Sequence, residues 1–322
     1  MRTSVALLRG GTSGEYGLSL KTGAAIMAAL PEDEFDVRDI LIDKKGTWHL
    51  RGVPVDPMRS LSQIDVAFNA IHGGIGEDGT IQRILDQAGI PYTGSDASSS
   101  ARTLNKILTH MALKDEGLPM PTAIAFSLSD DMTTLEMARQ VFELMGPPYV
   151  VKPPSDGASL GIAISKTFND LPNAIGDALD VYGTVLVEEY IIGHQVSVGI
   201  LNDFRNEEVY ALPPAHIVTH EPSLMIYHDH HHSGTWDIRV PSQFTHDEKD
   251  ELMHIAKTAH SALGLSHFSR ADMILSNHGP YLLEVNSIPG LYEHAVFPKM
   301  LESVGSSVEQ FARHALELAR RD

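Results

Sequence analysis

The residues best suited to chemistry lie near the end of the 322-residue chain, in Phe268–Leu275 and Pro280–Asn286. Side chains alternate along a strand, so Arg270 and Asp272 share one face of the first segment, and Glu284 and Asn286 share one face of the second. Asn277-His278-Gly279 between them reads as a three-residue hairpin loop whose glycine supplies a positive φ. That loop pairs Ser276 with Pro280, which sets Asp272 opposite Glu284 and Arg270 opposite Asn286. Two carboxylates opposed on one face repel unless something neutralises them. A hard divalent cation would do so, because Asp, Glu and Asn offer the oxygens that Mg²⁺ takes. The plainer alternative is a solvated sheet face carrying chance acids.

Two glycine-rich loops come next. Ser155–Gly161 (SDGASLG) follows an apolar strand ending at Lys152, and small residues let a backbone approach phosphate oxygens. It is not a Walker loop, since no GK[ST] follows four variable residues. Arg9–Glu15 (RGGTSGE) is not the dinucleotide fingerprint, its glycines falling at 10, 11 and 14. Each loop alone reads as an ordinary turn, and Lys106 and Lys152 alone as surface charges. The His-rich run Tyr227–His232 could hold a transition metal. Consecutive loop residues rarely point at one ion, so it reads rather as a polar lid, with one histidine on phosphates.

The elements that must position these residues alternate between helix and strand, which argues for an α/β protein. Val5–Leu8, Val37–Ile42 and Ile64–Ile71 read as buried strands of a first unit ending near residue 102. Its helices carry Leu20, Gly23, Ala24 and Met27, then Ile81, Ile84, Leu85 and Ala88, at helical spacing. A second block opens with a helix on Leu104, Ile107, Leu108 and Met111. Thr133 with Glu136 is a capping box for a helix on Leu135, Ala138, Phe142 and Met145. Tyr149–Lys152, Val185–Tyr190 and Gln195–Leu201 read as strands, and Thr245 with Glu248 caps another helix. Val308, Phe311, Ala312, Ala315 and Leu316 make the apolar face of the last one.

Bulk properties narrow the partners. Asp plus Glu is 42 against 24 Lys plus Arg, a net charge of −18, which disfavours a nucleic-acid partner. With no cysteine, disulfides, thiolate zinc sites and cysteine nucleophiles are excluded, in keeping with a reducing cytoplasm. The N-terminus MRTSVALLRGG carries too short an apolar run for a signal peptide, and no stretch approaches the roughly 20 apolar residues of a membrane helix. Small molecules are the expected partners.

Taken in order, His72–Gln82 (HGGIGEDGTIQ), Pro91–Gly94 (PYTG), Val151–Pro153 (VKP) and Leu283–Gly290 (LEVNSIPG) resemble the D-alanine–D-alanine ligases end to end. The resemblance implies a three-domain ATP-grasp fold of mixed α/β and α+β character. It implies an N-terminal Rossmann-like domain (1–102), a central ATP-grasp subdomain (103–186) and a C-terminal one (187–322) with metal site and lid. It further implies ATP, Mg²⁺ or Mn²⁺, a homodimer, and synthesis of D-alanyl-D-alanine for peptidoglycan through an acyl phosphate. Lys106 and Lys152 match phosphate-binding lysines, with Ser159 in the phosphate loop. Glu188, Glu189, Tyr190 and Ile191 match the adenine hinge, and Gln195 stands at the ribose position. Asp272, Glu284 and Asn286 match the metal ligands, in agreement with the hairpin argument. Arg270 and the Gly290 backbone match the groups that stabilise the tetrahedral intermediate, while Glu15 and His72 match residues that position the first amino acid.

Departures cluster on the acceptor side. Ala158 replaces a serine that in the family bonds the glutamate matching Glu15 and a lid tyrosine. That tyrosine aligns with His231 and its preceding lysine with His230. Gln195 replaces a glutamate, and Ala295 replaces a serine that contacts the second substrate's carboxylate. Removing one partner of a polar network costs its neighbours too. Lid histidine accompanies D-lactate use in the family, so a related ligase with D-lactate, D-serine or another acceptor is the alternative. A silent ATP-binding homologue is the rival from another class, and the complete Asp272–Glu284–Asn286 set argues against it.

Overall fold

Val5, Ala6, Leu7 and Leu8 are four consecutive residues with no exposed surface, so both faces of the strand they form are covered. A central strand of a parallel sheet demands this pattern. The computed structural model describes residues 2–155, 161–219 and 236–321. Its first unit comprises β1 (Thr3–Gly10), α1 (Tyr16–Ala29), β2 (Phe35–Ile42), β3 (Trp48–Leu50), β4 (Val53–Pro54), α2 (Pro57–Ser60), β5 (Val66–Asn69), α3 (Thr80–Ala88) and α4 (Ala97–Leu104). The sheet order is β4-β3-β2-β1-β5, with β2 and β5 parallel to β1.

After α5 (Lys106–Lys114) come β6 (Ala123–Ser127), α6 (Thr134–Leu144), β7 (Tyr149–Lys152), β8 (Ala163–Ser165), α7 (Leu171–Tyr182) and β9 (Thr184–Glu189). These strands form an antiparallel sheet, β6-β9-β7-β8, backed by α6 and α7 through Met137, Val141, Ile175 and Leu179. The third unit runs β10 (His194–Phe204), β11 (Glu207–Ala211), β12 (Ala215–Thr219), β13 (Trp236–Arg239), α8 (His246–Ala262), β14 (Phe268–Ser276), β15 (Gly279–Asn286), α9 (Val296–Ser303) and α10 (Val308–Ala319). Its strands order as β13-β12-β10-β14-β15, with β11 on β10.

The mixed α/β architecture is the one expected, and both capping boxes form, at Thr133–Glu136 and Thr245–Glu248. β9 continues to Glu189, and α10 returns to the first sheet. There Phe311, Ala315 and Leu316 share a core with Val5, Leu7 and Phe68.

Three expected helix faces are rotated. In α1 the buried residues are Leu18, Ser19, Thr22, Gly23 and Ile26, while Met27 is exposed. α6 buries Met137, Ala138 and Val141 and leaves Leu135 and Phe142 exposed. The second block begins with two helices, because Asn105 ends α4 and caps α5, accepting from Ile107 N and Leu108 N at 3.0 and 3.2 Å. α5 turns Lys106, Thr109 and Leu113 inward and leaves Met111 66% exposed. Its inner face meets the carboxylates of Glu188 and Glu284, so it is polar where an apolar stripe would ordinarily mark the inside.

Candidate active site

The hairpin brings Asp272 opposite Glu284 and Arg270 opposite Asn286, but not by the expected loop. Ser276 pairs with Gly279, so the loop is Asn277-His278 alone, with Gly279 at φ +107°. One residue is regained further along, where the register shifts between Met273–Leu282 and Asp272–Glu284. That bulge at Leu283 restores the alternation. Leu282 and Leu283 are both buried, and Leu283 joins Ile191 and Ile274 in a small apolar cluster.

Asp272 is the hub. It accepts from Arg270 Nε at 2.9 Å and Nη2 at 2.7 Å, from Ser197 Oγ at 2.6 Å and from Asn286 Nδ2 at 2.8 Å. Burial works against the Arg270 charge, but Asp272 and Glu284 outweigh it and raise the guanidinium's pKa. Glu284 faces Lys106 Nζ at 3.6 Å. Burial pushes the Glu284 carboxyl up, yet Lys106, Lys152 and Arg270 prevail and lower it. Among the described residues no group of three His, Cys, Asp or Glu side chains could hold a metal. A cation here would rest on Asp272, Glu284 and the Asn286 amide, an all-oxygen set suited to a hard ion.

On the facing sheet, Glu188 is fully buried, with Lys152 Nζ at 2.6 Å and His110 Nε2 at 3.2 Å. Burial raises this carboxyl and the two basic groups more than reverse it, so it is held charged. Glu189 accepts from Thr122 N at 3.4 Å, Tyr190 is half-buried, and Gln195 lies opposite Ile274 on the neighbouring strand. Ala158, Ser159, His230 and His231 lie outside the described residues.

The two glycine loops of the first unit meet each other. Gly73 has φ +62°, and a Cβ there would fall 2.3 Å from Glu15 Oε2, so only glycine allows the approach. Ser13 Oγ donates to His72 O at 2.7 Å, and His72 Nε2 lies 2.8 Å from Thr22 Oγ1. Burial, helped by Arg270, lowers His72 to about 4, so the ring is neutral at pH 7. Glu15 is raised to about 8, by burial first and then by Glu77 and Glu284, against Lys106 and Arg270. Gly290 lies under Tyr292, and Leu291 N donates to Thr22 Oγ1 at 3.4 Å. Ala295 is the N-cap of α9 and offers it no side-chain hydrogen bond.

Several participants escaped the sequence reading. Glu77 sits inside HGGIGEDG, and its buried carboxylate accepts from Gly73 N at 2.7 Å, Ser287 Oγ at 2.8 Å and Ile288 N at 3.2 Å. It thus clamps the His72–Gly79 loop to the segment following β15. Burial raises its pKa against those donors and Arg270. Ser197, His110 and Tyr292 are likewise new. Only Ser197 had a usable signal, as the residue directly across from Asp272 on β10.

Lys152 of the four-stranded sheet is electrostatically coupled to Glu284 of the six-stranded sheet, and α5 supplies Lys106 to the same carboxylate, an arrangement in keeping with the ATP-grasp class of folds. Comparison with known proteins narrows this. The family profile described as the D-ala D-ala ligase C-terminus matches residues 112–317, and that of the N-terminus matches 51–95. A D-alanine–D-alanine ligase from Desulforudis audaxviator is 33% identical, covering 98% of both chains. One from Mannheimia succiniciproducens is 34% identical, covering 98% of this chain and 97% of that protein. Among solved structures, a D-Ala:D-Ser ligase from Enterococcus faecalis superposes with a TM-score of 0.85 at 26% identity, covering 99% of this chain and 100% of that one. The chain belongs to the D-alanine–D-alanine ligase family.

Replacing Glu77 by alanine strands three buried donors, so Glu77→Ala is expected to cost about 3 kcal/mol of stability in urea unfolding. Glu77→Gln, which keeps one acceptor, should cost less; equal or negligible losses would refute the clamp. Glu15 gives a pH signature. Its folded pKa of about 8 exceeds the ordinary carboxylate value, so its contribution is present below about pH 4.5 and is lost as pH rises through 8. The melting temperature of the native chain relative to Glu15→Gln should therefore fall between pH 5 and pH 8. A difference that stays flat over that window contradicts the raised pKa.

Proposed function

We propose that the chain uses ATP to join two D-alanines into D-alanyl-D-alanine. The observation that carries the reading is convergence: Glu15 of the first unit is electrostatically coupled to Arg270 and Glu284 of the hairpin and to Lys106 of α5. Parts from three segments thus act on one another, and His72 is coupled to Arg270 as well.

Glu15 meets the ammonium of the first D-alanine, which favours the ionised form of this otherwise protonated carboxyl. Neutral His72, fixed by Thr22, offers a hydrogen bond to that substrate without competing for its charge. Lys106 and Lys152 lie against the ATP phosphates and stabilise the charge that develops as the γ-phosphoryl passes to the carboxylate. Mg²⁺ or Mn²⁺, held by oxygens of Asp272, Glu284 and Asn286, would neutralise phosphate charge there. Attack on the acyl phosphate by the second amine creates an oxyanion, which Arg270 and the backbone at Gly290 stabilise before phosphate leaves. Glu188, Glu189, Tyr190, Ile191 and Gln195 border the nucleoside. Ser159 and His230 stand for the phosphate loop and lid, which must exclude water because acyl phosphates hydrolyse. Peptidoglycan precursor synthesis, in the cytoplasm and as a homodimer, belongs to the same reading. Among the described residues no helix is long and apolar enough to cross a membrane.

A second reading keeps the chemistry but changes the acceptor to D-lactate, D-serine or another amino acid. Ala295 favours it, since a buried alanine at the start of α9 offers an acceptor carboxylate no hydroxyl. Phosphate release with D-alanine alone, with the dipeptide identified by mass, is the expected result; release only when D-lactate or D-serine is added would reassign the acceptor. Ala295→Ser restores an N-cap, which is expected to raise stability by about 1 kcal/mol and to lower KM for the second D-alanine. Unchanged stability together with unchanged KM would remove Ala295 from the acceptor site.

A further inference from the structure

We propose that His110 is a positioning residue for the nucleotide: it holds one oxygen of the buried Glu188 carboxylate, so that the other oxygen fixes Lys152 at one point in the cleft. The proposal rests on the reading of Lys152 as a phosphate ligand, and on geometry outside it. Glu188 has no exposed surface and Lys152 is 2% exposed. Lys152 Nζ stands 2.6 Å from Glu188 Oε2, and His110 Nε2 stands 3.2 Å from Oε1. Each oxygen therefore has its own basic partner.

The helix carrying His110 explains why the arrangement is more than a filled space. Lys106, Thr109, His110 and Leu113 recur at helical spacing, which places them on one face of α5. One turn apart, that face sends Lys106 to Glu284 on β15 and His110 to Glu188 on β9. Lys106 N also donates to Pro154 O at 2.7 Å, two residues beyond Lys152. α5 is thus tied to both carboxylates and to the chain leaving Lys152.

A lysine ammonium is a compact charge on a flexible stem, so its position is set by its partners. Paired with Glu188 alone, Lys152 would be drawn between both oxygens and held more tightly away from a phosphate. With His110 on Oε1, Glu188 presents a single oxygen, and Lys152 keeps the reach that couples it to Glu284.

The test is calorimetric titration of the whole protein with Mg²⁺ and either adenylyl imidodiphosphate or AMP. His110→Leu is expected to weaken the triphosphate analogue about tenfold or more and AMP by less than about twofold. His110→Gln, whose amide N–H can donate to Oε1, should restore the analogue to within about threefold. In a Glu188→Gln background His110→Leu should have little further effect, because the histidine acts through that carboxylate. Unchanged analogue affinity, an equal loss for AMP, or an additive loss in the Glu188→Gln background overturns the proposal. A lowered melting temperature with native affinity also overturns it. If His110→Leu does not fold, His110→Asn, whose donor falls short of Oε1, takes its place with the same expectation. Native protein that binds neither nucleotide refutes the ATP reading itself, a result distinct from any failure of His110.

Discussion

A charged group without contact to water must be given fixed partners, and Glu188 is such a group at the centre of the second sheet. Its demand for counter-charge draws Lys152 from β7 and His110 from α5. Because α5 is rigid, satisfying Glu188 also aims Lys106 at Glu284 in the third unit. Glu284 in turn is held by β15 opposite Asp272, whose oxygens fix Arg270, Asn286 and Ser197. One buried carboxylate thereby registers two sheets and a helix against each other. Glu77 does the same for the first unit, tying the loop that carries His72 to Ser287 and Ile288.

How far this site was legible depends on the kind of contact. The pairing of Asp272 with Glu284 follows from alternation along two strands, and it holds although the loop is one residue shorter than expected. A bulge at Leu283 compensates, since the face a side chain takes depends on the summed offset of loop and bulge and not on either alone. Glu77 and His110 were invisible for another reason. Their partners lie 210 and 78 positions away in sequence, and no local period encodes such an encounter.

Helix existence was legible through caps and spacing, while helix orientation was less so. The misread faces of α1 and α5 share a cause. α1 turns Ser19, Thr22 and Gly23 inward because Gly23 lies against Arg9 and Ser19 bonds to Ala70 and His72. α5 turns Lys106 and Thr109 inward towards carboxylates and backbone. Hydrophobic periodicity finds the buried face only when burial is apolar, and beside a polar site the rule inverts. α10 obeys the rule because it packs on the first sheet's apolar face, far along the chain from the strands it covers.

The charge balance of the cleft constrains how it can be filled. Lys106, Lys152 and Arg270 are matched by Glu284, Glu188 and Asp272, so the free site is already close to neutral. A phosphate that took Lys106 alone would leave Glu284 unpaired beside Asp272, two acids on one face with a partner lost. A cation that took the two acids alone would leave Lys106 and Arg270 facing added positive charge. Only a phosphate accompanied by its cation lets Lys106 exchange one anion for another while Glu284 exchanges one cation for another. In the proposed metal site Asn286 would have to turn its oxygen towards the ion, because it now presents Nδ2 to Asp272. In the proposed reaction Arg270 need not move, since it keeps its fork on Asp272 while remaining electrostatically coupled to Glu15 and Tyr292.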